Sequence, residues 1–372
     1  MPNVATIDPF SLSDDLGPAK VVHLTERRTG LRAVVVVDNV AAGQAIGGTR
    51  MALDASAELC FRLARAMTLK NAMAGLRHGG AKSVIIADPK QPLADKERLV
   101  RAFAAGMRDL TEYAPGPDMG TDEQCMAWIR DEIGRAVGLP PELGGLPLDQ
   151  LGATGFGLAV AADVAADRIG LDLDGARVVV QGYGSVGRHA ARFLSVRGCV
   201  LVGASDSRGG VSDPDGLDLD RLDELKAAGR SVREHAGQTL EHGDEVGVPC
   251  DIWVPAAGPD VLRSDNIDNL TARLVLQGAN LPATAEAEHR MHERGVLSLP
   301  DFVANAGGVI CGAVEYAGGT RTQAFDLIAE RVAANTAAML EESDRTGVEP
   351  RGVAMEIARA RVERAMTTRR WV

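Results

Sequence analysis

The sequence predicts an α/β protein of two domains, in which buried strands alternate with helices. Short apolar, β-branched runs at 31–37 and 83–87 have the length of buried strands, and the helical pattern of 56–75 lies between them. A stretch rich in Gly and Pro, residues 138–152, interrupts the pattern and is predicted to be a linker. The chain length of 372 residues suits about two domains of ordinary size.

The first half is predicted to alternate strands and helices before the linker. Residues 1–20 are expected to form an unstructured lead-in, and Thr121, with Gln124 three residues later, has the spacing of a helix-capping box. The predicted elements are a strand at 31–37, a glycine turn at Gly47-Gly48, a helix at 56–75, a strand at 83–87, a helix at 96–113, a break at 115–117 and a helix at 121–133.

The second half repeats the α/β alternation and then becomes helical. Its predicted elements are helices at 155–168 and 185–197, and strands at 176–181, 199–205, 252–255 and 274–277. The alanine-rich residues 322–370 carry too few bulky apolar side chains to form a domain of their own. We therefore divide the chain into a first domain at 1–145, a second at 146–320, and C-terminal helices at 321–372 that pack back on the first domain.

Composition and charge exclude several classes of protein. Hydrophobic residues make up 45% and charged residues 24%, as in a soluble globular protein, and the net charge of −11 disfavours binding to nucleic acid or an anionic membrane. No secretory signal and no apolar run of the ~20 residues that a membrane helix needs is apparent, so a cytoplasmic location is expected. Five scattered cysteines without C-x-x-C spacing predict neither a disulfide framework nor a metal site.

A glycine-rich motif predicts binding of a dinucleotide. The strand at 176–181 runs into a G-x-G-x-x-G pattern and then a helix, so that phosphates meet free N–H groups at the helix N-terminus. A second strand ends in Asp206, where an acid suits a ribose hydroxyl, but Arg208 close by suits a 2′-phosphate, and the choice between NAD and NADP stays open. The motif residues are Gly182, Tyr183, Gly184, Ser185, Val186 and Gly187.

Lys70 is a charged residue that the helical pattern of 56–75 places on an apolar face. An unpaired ammonium buried in a core is costly, so either this lysine extends its charge to solvent near the helix end or it meets an anionic substrate in a cleft. The apolar arc around Lys70 is formed by Leu59, Leu63, Ala66, Met73 and Ala74.

Lys82 and Asp118 form a second pair of candidates. Lys82 follows a Gly-Gly-Ala run and precedes a buried strand, so desolvation could lower its pKa and make it a base, although a surface lysine is an equal alternative. Asp118 precedes a helix and could simply favour its positive end, or it could act with Lys82 as an acid/base pair.

The chain resembles the glutamate/leucine/phenylalanine/valine dehydrogenases over roughly residues 25–320. Several ordered matches are more specific than any one motif. They are GGTRM (47–51), MTLKNAMAGL (67–76), GGAKSVII (79–86), PDMGTDEQCMAWI (117–129), ATGFG (153–157), QGYGSVG (181–187), SDSRGGVSDPDGL (205–217), QGANLP (277–282) and PDFVANAGGV (300–309).

The resemblance implies a reaction and an architecture. The reaction is the reversible NAD(P)-dependent oxidative deamination of an L-amino acid to a 2-oxo acid and ammonia. The first α/β domain is expected to bind the substrate and to mediate homo-oligomerisation, and the second is expected to be a Rossmann NAD(P)-binding domain. The two are expected to be hinged around a cleft, with the last helices returning to the first domain.

The resemblance also implies roles for single residues. Lys70 holds the substrate α-carboxylate, Lys82 is the general base that activates water, and Asp118 moves the proton to and from the amine. Gly47, Gly48 and Val309 match substrate-side positions, and Asn305 matches a position beside both substrate and nicotinamide. The remaining cofactor-side positions are Thr154, Ala279 and Asn280.

Two departures from the glutamate enzymes bear on the substrate. Ile46 stands where those enzymes carry a lysine for the side-chain carboxylate, and Gly312 stands where they carry a serine. An apolar wall without a hydroxyl does not compensate the desolvation of a second carboxylate, so an apolar amino acid is favoured. Glutamate remains the alternative, because segments 117–129 and 205–217 look closer to the glutamate branch.

A function of another class is also considered. A protein with this fold could sense a dinucleotide without turnover, since a fold does not determine a function. The presence of Lys70, Lys82 and Asp118 together favours the enzyme. The expected partners are then small molecules and further copies of the chain.

Overall fold

The computed structural model describes residue 10 and residues 12–369. Within it the chain forms two compact units. The first contains residues up to Pro147 together with Gly312–Thr320 and the chain from Ala358, and the second contains Leu148–Cys311 and Arg321–Ile357. Most of the predicted N-terminal lead-in lies outside the described residues, and within them Lys20 already begins a strand.

The first unit contains a five-stranded sheet of mixed direction. Strands β1 and β2 are antiparallel, as are β2 and β4, whereas β3 runs parallel to both β4 and β5, in the order β1-β2-β4-β3-β5. The elements are β1 (Lys20–Glu26), β2 (Leu31–Asn39), β3 (Ala45–Met51), α1 (Ala57–Met73), β4 (Gly80–Ile85), α2 (Leu93–Gly106), β5 (Tyr113–Pro117) and α3 (Glu123–Ile133).

Helices cover both faces of this sheet because its central strands are apolar on both sides. In β2, Val34 and Val36 pack with Cys60 and Ala64 of α1. The alternate residues of the same strand face the opposite layer, where Val35 packs with the side chains of α2 and α3. A strand buried on both faces reads as a continuous apolar run, which is the pattern seen at 31–37.

Three local predictions for this unit are wrong. The glycines at 47 and 48 lie inside the inner strand β3 and not in a turn. The expected break at 115–117 is part of β5, an edge strand, where prolines are tolerated because no inner ladder needs their N–H. The side chain that caps α3 is Asp122, whose carboxylate accepts from the Cys125 N–H at 2.9 Å, whereas the Thr121 hydroxyl donates to the Thr49 carbonyl at 2.7 Å.

The second unit contains a seven-stranded sheet in the order β12-β11-β10-β6-β7-β8-β9. Its elements, two of which (α10 and α12) extend into the first unit, are α4 (Leu148–Leu151), α5 (Ala153–Ile169), β6 (Arg177–Gln181), α6 (Ser185–Ser195), β7 (Val200–Asp206), β8 (Gly209–Ser212), α7 (Leu219–Ala227), β9 (Gln238–Leu240), β10 (Ile252–Pro255), β11 (Leu274–Leu276), α8 (Ala285–Glu293), β12 (Leu297–Leu299), α9 (Asp301–Ala304), α10 (Gly307–Tyr316), α11 (Arg321–Thr346) and α12 (Pro350–Thr367).

Strands β6, β7, β10, β11 and β12 are parallel, and only β8 and β9 at one end add antiparallel pairs. Most side chains of the five parallel strands are buried, as in parallel sheets covered by helices. The strand at 252–255 agrees with the sequence prediction residue for residue. This arrangement is the doubly wound fold expected for a dinucleotide-binding domain.

The course of the C-terminal helices differs from the predicted division of the chain. Helix α11 packs along α5 and groups with the second unit, and only the chain from Ala358 groups with the first. Residues 312–320 also belong to the first unit. Among residues 12–369, no helix is long and apolar enough to cross a membrane. No disulfide joins the five cysteines, all of which the structure describes as buried.

Candidate active site

The register of three neighbouring strands brings the central candidates together. Lys82 lies within β4 and Asp118 follows the last residue of β5. The register pairs Gly48 of β3 with Gly116 of β5, so that Asp118 comes level with Arg50 near the end of β3. Ligands of open α/β sheets bind outside the carboxyl ends of parallel strands, and Asp118 lies at such an end.

Lys82 and Asp118 form an ion pair between Nζ and Oδ2. Lys82 is 7% exposed and the Asp118 side chain is 14% exposed, so the pair is largely shielded from water without being sealed. The second oxygen of Asp118 accepts from the Met119 N–H at 2.6 Å and lies 3.3 Å from Nη2 of Arg50. The lysine is therefore not a surface residue, and Asp118 is not merely a charge beside a helix.

Burial and charge act in opposite directions on Asp118. Burial raises the pKa of a carboxyl group, but Lys82 and Arg50 outweigh it and hold the pKa of Asp118 below its ordinary value. The carboxylate form is thus the resting state near neutral pH. A carboxylate beside a lysine amine can receive and return a proton, as acid/base chemistry requires.

Glycine is required where β3 passes this pair. A Cβ placed on Gly48 would lie 2.9 Å from Nζ of Lys82, from Cβ of Asp118 and from the Pro117 carbonyl. A Cβ on Gly47 would lie 1.6 Å from the Ala81 carbonyl of the adjacent strand. The Gly-Gly pair predicted to line the substrate site therefore makes room for the lysine and for close packing of the strands.

Lys70 lies in the last turn of α1 and is half-buried, and the predicted apolar arc around it is buried only in part. Met73 and Ala74 of that arc are buried, but Leu59 and Leu63 are half-buried and Ala66 is exposed. The helix presents another face to β2 and β4, and Lys70 lies at its margin. The residues of that face are Cys60, Ala64, Thr68 and Asn71.

An apolar cluster surrounds Ile46, the residue predicted to exclude a second carboxylate. Ile46 is 5% exposed and packs with Ala114, Val137 and the ring of Tyr316. A Cβ placed on Gly312 would lie 3.8 Å from Val137, so the two predicted specificity positions face the same side chain. Val137 was missed because it lies in an irregular segment whose position no local pattern predicts.

In the second unit, the glycine motif has the expected geometry. Gly182 has a positive φ of 94°, and a Cβ there would lie 2.6 Å from the Ala257 nitrogen. A Cβ on Gly187 would lie 2.1 Å from the Gly182 carbonyl, whereas Gly184 has no neighbour within 4 Å of that position. The first and third glycines are thus fixed by packing, and the second leaves space for a pyrophosphate at the start of α6.

The other motif residues divide into exposed and buried positions. Ser185 is exposed and its hydroxyl donates to the Asp149 carbonyl at 2.9 Å, while Val186 is half-buried. Tyr183 is buried, with its hydroxyl 3.3 Å from Asp223, so its side chain serves the core and only its backbone faces the loop.

Asn305, a further predicted cofactor-side residue, is held in place by hydrogen bonds of its side chain. It is 4% exposed, and its Nδ2 donates to the Gly278 carbonyl at 3.1 Å and to Oδ1 of Asn280 at 3.3 Å. Its own Oδ1 is buried without a hydrogen-bond partner in the structure. A buried orphan acceptor beside the 277–282 loop fits a ligand donor, as a carboxamide group would supply.

The remaining predicted positions have less specific surroundings. Thr154 begins α5 half-buried, with its hydroxyl 3.0 Å from a Cβ placed on Gly308. Val309 on α10 is half-buried, and the Ala279 N–H donates to the Pro255 carbonyl at 2.8 Å. These contacts position the backbone and assign no role to the side chains.

Asp206 does not have the free oxygen that a ribose contact requires. Its Oδ1 accepts from the Arg208 N–H at 2.9 Å and the Ser231 hydroxyl at 2.8 Å; its Oδ2 accepts from Lys226 at 2.9 Å and the Val232 N–H at 3.1 Å. A carboxylate has about four acceptor sites, and all are used. Although burial opposes it, this set of donors, led by Lys226, lowers the pKa of Asp206 to about 2. The geometry therefore does not support Asp206 as a ribose ligand.

Among the described residues, no group of three or more His, Cys, Asp or Glu side chains is arranged to hold a metal ion.

Arg50, beside the ion pair, is a second residue that sequence reasoning missed. It lies within the GGTRM match, and the available signal was a charged residue inside a strand that is otherwise small and apolar.

Two family models match the chain. One is described as Glutamate/Leucine/Phenylalanine/Valine dehydrogenase and matches residues 144–370; the other is described as Glu/Leu/Phe/Val dehydrogenase, dimerisation domain, and matches residues 19–135. The chain is 36% identical to the NADP(+)-dependent glutamate dehydrogenase of Pyrobaculum calidifontis, with 91% of this chain and 86% of the relative covered. It is also 36% identical to an NAD-specific glutamate dehydrogenase of Staphylococcus aureus, with 76% and 70% covered.

Solved structures of this kind resemble the fold over nearly the whole chain. The Leu-bound form of a hetero-hexameric glutamate dehydrogenase from Thermus thermophilus has a TM-score of 0.85 and 31% identity, with 94% of this chain and 90% of that chain covered. An L-tryptophan dehydrogenase from Nostoc punctiforme has a TM-score of 0.72 and 25% identity, with 94% and 97% covered. One of these two similar proteins is thus named for an acidic amino acid and the other for an aromatic one.

Proposed function

The chain belongs to the glutamate/leucine/phenylalanine/valine dehydrogenase family, and from that premise we propose that it interconverts an apolar L-amino acid with its 2-oxo acid and ammonia. The cofactor is NAD or NADP. The observation that carries the proposal is the ion pair between Lys82 of β4 and Asp118 at the carboxyl end of β5, beside a glycine that makes room for it. A shielded amine and a carboxylate in contact are suited to the proton transfers that amine oxidation requires.

The proposed reaction gives a separate role to each of three residues of the first unit, Lys70, Lys82 and Asp118. Lys70 binds the substrate α-carboxylate. Lys82 removes a proton from the water that adds to the imino acid, and Asp118 moves the proton to and from the departing amine. The glycine motif of 182–187 and Asn305 would hold the dinucleotide, whose nicotinamide would supply the acceptor for the hydride from the substrate Cα. One water is consumed, and the products are the 2-oxo acid, ammonium, the reduced cofactor and a proton.

The apolar cluster supports the choice of substrate class. Ile46, Val137, Ala114 and Tyr316 pack together, and none of them carries a charge to pair with a side-chain carboxylate. Gly312 beside Val137 leaves space that a branched residue would fill. Placing a second carboxylate against such a wall costs desolvation energy without a compensating partner, whereas an apolar side chain gains by burial.

Glutamate is the second candidate substrate, and the names of the curated relatives favour it. Both relatives described above are glutamate dehydrogenases at 36% identity. Identity spread over the whole chain reflects the shared fold and reaction, while the substrate side chain depends on a few wall residues. A dinucleotide-sensing protein without turnover is the remaining alternative.

The proposal is tested by incubating the protein with a panel of L-amino acids and oxidised NAD or NADP and following nicotinamide reduction. We expect turnover with leucine, valine or phenylalanine at a higher kcat/KM than with glutamate. A preference for glutamate would support the second candidate. Binding of either cofactor without turnover of any amino acid would support the sensing protein.

We also propose that the chain forms a homo-oligomer in the cytoplasm. The family model matched by residues 19–135 is described as a dimerisation domain, and cysteines without disulfides are typical of a reducing compartment. Light scattering coupled to gel filtration measures the mass in solution. A mass equal to that of one 39.1 kDa chain would contradict the assembly.

A further inference from the structure

We propose that Arg50 is a positioning residue for this reaction, and that it holds and orients the Asp118 carboxylate opposite Lys82. The inference rests on the proposed function, because it assigns Arg50 a part in the proton transfer attributed to Asp118. Neither the family comparisons nor the sequence motifs assign this arginine a role.

The geometry gives each oxygen of Asp118 its own cation. Lys82 Nζ pairs with Oδ2, and Arg50 Nη2 lies 3.3 Å from Oδ1. The Met119 N–H also donates to Oδ1 at 2.6 Å. Two cations and one backbone donor therefore fix the plane of the carboxylate, so that Oδ2 faces the amine.

The alternation of side chains along β3 explains how Arg50 reaches this position. Residues 48 and 50 lie on the same face of the strand, because successive side chains alternate. Thr49 points to the other face, where its hydroxyl lies 2.9 Å from that of Ser83. Gly48, without a side chain, leaves the space into which Lys82 and Asp118 extend, and Arg50 borders the same space.

The contacts of Arg50 differ from those of a structural arginine in the same unit. Arg135 donates to the backbone carbonyls of Tyr113, Met107 and Leu110 at 2.9 to 3.0 Å and so ties loops together. Arg50 directs its guanidinium at a carboxylate of the candidate site, and its buried Nε has no hydrogen-bond partner in the structure. A buried donor left without a partner is costly, and the hydrogen bond that the structure shows for this guanidinium is the one to Asp118.

The consequence concerns the pH at which Asp118 takes up a proton. Among the described residues, the groups that act on its carboxylate are Lys82 from β4, Arg50 from β3 and the Met119 N–H, while the buried phenol of Tyr113, at the start of β5, is itself affected by the Asp118 charge. The two cations together hold the pKa of Asp118 down against the effect of burial. Without Arg50, we expect this pKa to rise by about one unit, because an opposite charge at this distance lowers a carboxyl pKa by about 1–3 units.

The first arm of the test is the pH profile of oxidative deamination in the wild-type protein and in Arg50→Gln and Arg50→Lys. We expect the acidic limb of kcat/KM to move about one unit to higher pH in Arg50→Gln, and to stay near its wild-type position in Arg50→Lys. The exposed Arg32→Gln variant on β2 removes the same charge far from the carboxylate and is expected to leave the limb unmoved. A purely structural role would lower kcat at every pH without moving the limb, and that result would overturn the inference.

The second arm needs no substrate. The difference in unfolding free energy between the parent and Asp118→Asn is measured against pH, once with Arg50 and once in the Arg50→Gln background; Arg50→Met, which also lacks the charge, replaces Arg50→Gln if the latter does not fold. A carboxyl group with a lowered folded-state pKa contributes stability above its unfolded pKa and loses it as the pH falls through the folded pKa. We expect this loss at higher pH in the background without Arg50.

An identical midpoint in both backgrounds would contradict the inference whether or not an amino acid is oxidised. Conversely, if no amino acid is oxidised but the midpoints differ, the proposed function fails while the coupling between Arg50 and Asp118 stands.

Discussion

At the scale of single residues, the site depends on a glycine whose missing side chain is as important as the charges beside it. Gly48 leaves the space into which Nζ of Lys82 and Cβ of Asp118 extend. The end of the flexible Lys82 side chain can shift away from a Cβ added at Gly48. The Pro117 carbonyl would also lie 2.9 Å from that Cβ, but it belongs to the backbone, and moving it costs more energy. A change at this position should therefore disturb the ion pair before it disturbs the sheet.

We predict that Gly48→Ala lowers kcat by at least about tenfold, because the added Cβ pushes the Lys82 amine away from Asp118 and proton transfer requires their contact. Steady-state kinetics and urea unfolding measure the two effects separately. Gly247→Ala is the matched control, since no atom lies within 4 Å of its added Cβ. Wild-type kcat in Gly48→Ala would show that this contact is dispensable.

We predict that Lys82→Ala abolishes turnover, with a loss of about 10²-fold or more, while the reduced cofactor still binds. The substitution removes the proposed base, and the glycine motif lies in the other compact unit. Nicotinamide fluorescence measures binding, and Lys90→Ala on an exposed turn is the control. Turnover near the wild-type kcat would remove Lys82 from its proposed role.

The sequence predicts part of this site because some residues lie in local patterns. Lys82 after a Gly-Gly-Ala run and Asp118 before a helix are visible in one dimension. Their contact, and the addition of Arg50 to it, depends on the register of three strands that are far apart in sequence. Lys70 was selected by a helical arc that is buried only in part, so its selection rests mainly on the resemblance.

At the scale of elements, the end of β7 is held by a hydrogen-bond network around Asp206. The carboxylate binds Lys226 of α7, the Ser231 hydroxyl and two backbone N–H groups. A parallel strand that ends in an acid is also what the dinucleotide fold uses to bind a ribose, so a sequence pattern cannot separate the two roles. Only the positions of Lys226 and Ser231, 20 and 25 residues onward, distinguish them.

We predict that Asp206→Asn destabilises the protein by about 1–3 kcal/mol at pH 7, because charged hydrogen bonds are lost. The folded pKa is lowered to about 2, so this stability is present above the unfolded pKa and is lost as the pH falls toward 2. Urea unfolding at a series of pH values checks this prediction. Asp213→Asn, directly after β8, is the control. A difference between wild type and variant that does not change with pH would contradict the assignment.

Most elements agree with the sequence patterns, and the two strands that were predicted as a turn and a break differ for one shared reason. The strand β3 has two adjacent glycines and β5 has two prolines, residues that local propensity assigns to turns. Both form strands because neighbouring chain segments supply the ladder and because β5 lies at the sheet edge. Tertiary context overrides propensity where close packing at the site requires small residues.

At the scale of the whole molecule, the two compact units each have a sheet covered by helices, and the second has the doubly wound strand order. The composition and alternation of the sequence are sufficient to predict this. The destination of the C-terminal helices is not predictable in this way, because an amphipathic alanine-rich helix can pack on either unit. Here α11 packs along α5, and only the last turns of α12 group with the first unit.

The proposed substrate class depends on the apolar cluster around Ile46 forming a wall of the substrate site. Its most direct test is kcat/KM for leucine, phenylalanine and glutamate in the wild-type protein, in Ile46→Lys and in the size-matched Ile46→Met. We predict that the wild type and Ile46→Met prefer an apolar amino acid, and that Ile46→Lys shifts the ratio toward glutamate by about tenfold or more. A wild-type preference for glutamate, with no gain of glutamate activity in Ile46→Lys, would contradict the account.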